Sequence, residues 1–124
     1  MVKRPLGLLS LLALFTLVGC AGSPAQPSLS PQQDLGRRLF RQHCASCHAT
    51  STDIVISGPS LAGIASSAGD RIQGMDANGY LERAILQPSA FISPGFNDLM
   101  PKTFQQILTS EDLEALISYL LTLD

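Results

Sequence analysis

Five residues, Cys44-Ala45-Ser46-Cys47-His48, constrain this chain more than any other stretch. Two thiols three positions apart can reach two vinyl groups along one edge of a flat porphyrin. A histidine placed directly after them then lies under the ring, where a neutral imidazole nitrogen can bind iron. The pattern is that of covalent c-type haem attachment. Two other readings use the same thiols: a redox or structural disulfide, and half of a zinc site. His48 argues against a plain redox pair. The chain has three cysteines in all, so there is no second pair to complete a four-cysteine zinc site.

Further residues extend the pattern. Gly58-Pro59-Ser60-Leu61 follows the motif, Met100-Pro101 lies well downstream, and Gly36, Phe40 and Tyr119 stand near the two ends of residues 31–124. In these positions the chain resembles the class I cytochromes c. Gly58 to Leu61 looks like that family's Gly-Pro-x-Leu segment, Met100-Pro101 like its distal methionine, and Gly36, Phe40 and Tyr119 like the crossing of its first and last helices. Tyr80 to Pro88, together with Met100-Pro101, is similar to single-haem domains of respiratory complexes, such as the one fused to subunit II of some haem-copper oxidases. The resemblance implies an all-α fold, a small cytochrome c fold with three main helices and loops wrapped around one covalently bound haem c. It also implies that the Pro59 carbonyl accepts a hydrogen bond from the proximal histidine. Arg71 is the candidate partner of a haem propionate, although in many relatives the arginine lies closer to the Gly-Pro.

The amino end carries a second set of signals. Lys3 and Arg4 precede an almost wholly apolar run from Leu6 to Val18, too short for a comfortable membrane span and of the length of a signal-peptide core. It ends in Leu17-Val18-Gly19-Cys20-Ala21, which resembles the bacterial lipobox. That resemblance implies cleavage before Cys20 and lipidation of Cys20. It divides the chain into a lipoprotein signal peptide (1–19), a lipid-anchored linker (20–30) and a haem domain (31–124). Cys20 then takes lipid while Cys44 and Cys47 take haem, and no thiol is left over. The expected location is a bacterial membrane, with the protein facing the periplasm or the outside of the cytoplasmic membrane. An ordinary signal peptide and a retained helix are the alternatives. Ala21 to Leu29 is uncharged and without period, as expected of a tether. About ten such residues span at most roughly 35 Å.

From Cys20 onward, six basic residues face ten acidic ones. That balance offers no basic stripe for nucleic acid. A domain of this size builds only a modest core, and a buried haem would supply much of the missing apolar volume.

Within the domain, Ser30-Pro31-Gln32-Gln33 predicts a helix start with a capping box, and the helix runs to about Gln42. Leu35, Leu39 and Phe40 share one face. Gly36 among them predicts a closely packed partner, because glycine within a helix costs up to about 1 kcal/mol against alanine. Arg37, Arg38 and Arg41 lie off that face, and His43 is expected at the surface. Residues 49–75 lack helical period. A haem would order them, with Ile54, Val55, Ile56, Leu61 and Ile64 as apolar contacts, or with Ile54 to Ile56 as a short strand. Asp76 or Asn78 caps a middle helix that ends before Pro88, with Tyr80, Leu81, Ala84 and Ile85 inward. Residues 89–103 read as loop. Thr109 caps the last helix, whose apolar stripe is Leu113, Leu116, Ile117, Leu120 and Leu121.

For the second axial position the candidates are Met75, Met100 and His43. Met100 fits best. It stands far enough from His48 for the chain to cross the ring, and Pro101 stiffens its loop. Histidine and methionine on iron favour a high reduction potential, and two filled positions keep small substrates from the metal. The expected function is single-electron transfer between redox partner proteins of a respiratory chain or dehydrogenase, not an enzyme and without a small-molecule substrate. A permanent subunit of a larger redox complex is the alternative, and a haem sensor or enzyme with an open iron site is a third class.

Overall fold

The computed structural model describes residues 28–52 and 54–124. Among these there are five α-helices and no strand: α1 (Pro31–His43), α2 (Ile64–Ser67), α3 (Ala77–Leu86), α4 (Phe104–Ile107) and α5 (Ser110–Leu120). Short 3-10 turns cover Ala68–Asp70 and Pro88–Ala90. The three long helices are the three expected. The two one-turn helices are additions, in stretches without helical period.

Local chemistry sets the ends of the long helices. At α1 the Ser30 hydroxyl accepts from the Gln33 N–H, the Gln33 side chain accepts from the Ser30 N–H, and Pro31 occupies the first turn. The Asp76 carboxylate accepts from the Gly79 N–H at 2.8 Å and starts α3. Thr109 and Asp112 form the reciprocal pair that starts α5.

The largest packed contact joins α1 to α5. Gly36 makes it possible. A Cβ built on Gly36 would stand 1.9 Å from the Ala115 carbonyl oxygen and 2.8 Å from the Tyr119 Cβ. The missing side chain thus lets the two backbones nearly touch. Phe40 and Tyr119 meet beside this point with ring centroids 5.6 Å apart. Leu116, Ile117 and Leu120 of α5 are buried in one cluster with Phe40, Ile64, Tyr80, Leu81, Ile85 and Phe104, while Leu113 and Leu121 are partly covered. Among the described residues, no helix is long and apolar enough to cross a membrane.

Candidate haem site

The motif lies in the turn that leaves α1. The Cys44 N–H donates to the Phe40 carbonyl, and the Cys47 and His48 N–H groups donate to the Cys44 carbonyl at 3.0 and 2.9 Å. This turn puts both thiols and the imidazole against one cleft, which Cys44, Cys47 and His48 line together. The next segment folds back on the motif. The Gly58 N–H donates to the Cys47 carbonyl at 2.9 Å and the Leu61 N–H to the Ala49 carbonyl at 2.8 Å. Backbone hydrogen bonds thus tie Gly58 and Leu61 back to Cys47 and Ala49.

That fold-back explains a correction. Ile54, Val55 and Ile56 form no strand and line no part of the cleft; they are 53, 63 and 49% exposed. The paired ends of the segment leave these three residues on its outer bend. Leu61, at the second pairing, and Ile64 just after it do line the cleft.

The fold-back also sets the histidine. Nδ1 of His48 lies 2.8 Å from the Pro59 carbonyl oxygen. A carbonyl only accepts, so the proton sits on Nδ1 and the lone pair is left on Nε2, the nitrogen a metal would take. Gly58 lies flat against the same ring: a Cβ there would stand 2.5 Å from Cε1 and 2.8 Å from Nδ1. Sequence reasoning assigned Gly58 only to a motif. Its contact with His48 depends on the fold-back and has no local signature.

The remaining walls are mostly apolar, with Ser93, Asn97 and Asp98 of the Met100 loop among them. Tyr80, Leu81, Ala84 and Ile85 of α3 form one side, joined by Phe40, Phe91, Phe96, Phe104, Leu116 and Leu120. Met100 lies in the loop before α4 and lines the cleft with His48, whereas Met75 packs against the core outside it. His43, expected at the surface, is half-buried and also lines the cleft. Arg71 follows the 3-10 turn Ala68–Asp70, is exposed, and does not line the cleft. Cys20 and the segments around it lie outside the described residues.

Burial, and next the neighbouring Cys47 sulfur, push the Cys44 thiol up to about 11. At the rim of the cleft, hydrogen bonds from Lys102 and then Ser89 hold the Asp98 carboxyl, one of the lining groups, below its ordinary range. Among the described residues no group of three His, Cys, Asp or Glu side chains converges on a point, so the zinc reading finds no further ligands. An apolar-lined cleft with two thiols and an imidazole at its edge fits a porphyrin, whose iron His48 would hold.

A model of the cytochrome c family matches residues 33–124. Among solved structures, the chain is similar to cytochrome c from Rhodothermus marinus: 23% identity, 82% of this chain and 89% of that chain covered, TM-score 0.45. It is similar in the same degree to an engineered form of that cytochrome bound to a carbene intermediate: 24% identity, 82% and 89% covered, TM-score 0.44. No curated protein matches the chain. The family match spans the motif, the cleft and all of the five helices but the first two residues of α1, and the chain belongs to the cytochrome c family, as a class I monohaem member that binds one haem c covalently.

Proposed function

We propose that this protein is a membrane-tethered single-electron carrier, with His48 and Met100 as the two axial ligands of its iron. Family membership supports electron transfer in general. One observation carries the ligand assignment: His48 and Met100 line the same cleft, while Met75 does not, and His43, which also lines it, ends α1 directly before Cys44 of the motif. Bound there, the haem supplies one-electron redox chemistry. The protein's own part is to hold Cys44 and Cys47 at the thioether edge and to fix the His48 tautomer through Pro59. Its apolar walls keep water out, and Met100 closes the remaining side. With both axial positions filled, no small substrate reaches the metal, and partners meet the exposed edge in brief, small contacts. The chain is placed outside the cytoplasm through lipid on Cys20, with respiratory or dehydrogenase proteins as donor and acceptor.

Met100→Ala tests this. Thioether sulfur favours ferrous iron, so its loss lowers the reduction potential and opens the iron to carbon monoxide or cyanide. Met75→Ala is the control. If Met100→Ala changes neither property and Met75→Ala changes both, the ligand assignment is wrong.

A second reading has its own observation. Ile54, Val55 and Ile56 form an exposed apolar run beside the motif, which suits a subunit seated permanently in a larger redox complex.

A further inference from the structure

The loop that carries Met100 is weakly built. Residues 91–103 contain no helix, and among the described residues their backbone hydrogen bonds are local: Phe96 N–H to the Ser93 carbonyl, Leu99 N–H to the Asn97 carbonyl, and the Thr103 carbonyl to the Gln106 N–H. No backbone bond joins this loop to α1, α3 or α5. Such a segment opens at low free energy unless side chains tie it down.

One side chain does so from both directions. The Asp98 carboxylate accepts from the Ser89 hydroxyl at 2.9 Å. The same Oδ2 lies 3.0 Å from Lys102 Nζ. Ser89 stands in the 3-10 turn that begins at the buried Pro88, directly after α3. Lys102 lies on the other side of Met100-Pro101. Asp98 therefore closes a small ring around Met100 and moors it to the end of α3. Gln105 of α4 donates to the Leu86 carbonyl at 2.9 Å and holds only the far end of the loop.

We propose that Asp98 is a positioning residue: its paired bonds to Ser89 and Lys102 hold Met100 on the cleft and so set how readily the second axial position opens. The inference rests on the reading of Met100 as a ligand. An exposed ion pair adds little to global stability. Here its effect falls on a local opening, in which Met100 leaves while the helices stay packed. Charge-assisted hydrogen bonds exceed neutral ones, so losing both shifts that opening by about tenfold.

The experiment uses the full-chain holoprotein and imidazole as an external ligand, which binds only after the methionine leaves. Asp98→Ala, Ser89→Ala and Lys102→Gln are compared with Asp34→Ala, whose carboxylate also has two side-chain partners, there the cations Arg37 and Arg38, but on α1. Expected is about tenfold tighter apparent imidazole binding in Asp98→Ala, smaller gains in the two partner variants, partial recovery in Asp98→Asn, and no change in Asp34→Ala. The weak red absorption of thioether sulfur on ferric iron is followed alongside. If wild-type protein lacks that absorption, Met100 is not the ligand and the inference falls with the reading beneath it. If wild-type protein shows it and Asp98→Ala binds imidazole like wild type, or Asp34→Ala binds as tightly as Asp98→Ala, the positioning role alone is overturned.

Discussion

The imidazole of His48 is held by two residues that the chain brings back to it, and each makes a different demand. Pro59 contributes a backbone carbonyl, so its side chain can change while the 2.8 Å contact persists. Gly58 contributes empty space, and any side chain there must displace the ring. Gly58→Ala should therefore rotate or push the imidazole, lower the reduction potential and broaden the visible bands. Gly69→Ala is the matched control, since its Cβ would meet nothing nearer than the Ala77 nitrogen at 3.5 Å. Equal spectra and potentials for the two variants would remove the steric role of Gly58. Arg71→Gln makes the opposite test. An exposed arginine outside the cleft lining should leave the potential unchanged, and a clear shift would restore it to the site. At this scale legibility followed sequence distance. The thiols and His48 are adjacent, so their joint chemistry was plain. Gly58 touches His48 only because the backbone pairs Cys47 with Gly58 and Ala49 with Leu61.

The helix starts were legible because capping is local: Ser30, Asp76 and Thr109 each bond to a residue three positions on. The one-turn helices α2 and α4 were not. Four residues show no period, and each is held instead by one buried side chain, Ile64 and Phe104. The stability of the frame rests on the crossing of α1 and α5. Gly36→Ala would put a methyl group against the Ala115 carbonyl oxygen, so the helices must part, at a cost of about 3 kcal/mol or more. Urea unfolding measures it, and an unchanged midpoint would mean that the crossing yields freely. Thr109→Ala removes a cap and should cost about 1 kcal/mol. Its partner Asp112 gives the frame an acid limit. Hydrogen bonds from the Thr109 hydroxyl and backbone hold the Asp112 carboxyl below its ordinary value of 3.8. Its pKa is lowered on folding, so its contribution is complete above the unfolded value and is lost as pH falls through the folded one. Asp112→Asn should therefore narrow the gap to wild type as the solution is taken from about pH 5 to about pH 2. Parallel melting curves across that range would contradict this.

For the molecule as a whole, the question is what holds it at its place of work. The apolar cleft, walled by α3 and closed by the Met100 loop, gives the domain its cofactor-centred core. Two features outside that core could tether it: Cys20, before the described residues, and the exposed run Ile54-Val55-Ile56 on the outer bend of the fold-back. They make separable predictions. An acylated cysteine anchors without any folded contact, since two acyl chains suffice for stable attachment, whereas three exposed apolar side chains need a partner surface shaped to cover them. For a lipid-tethered carrier, Cys20→Ser should pass to the soluble fraction with its haem spectrum and potential unchanged, because the site lies wholly within the folded domain. Replacing Ile54, Val55 and Ile56 together with serine should then leave wild-type fractionation as it was, since the lipid alone suffices. Should Cys20→Ser stay with the membrane, and leave it only when the three apolar residues are also replaced, the protein is held by a protein partner through that bend. The subunit reading would then stand in place of the carrier.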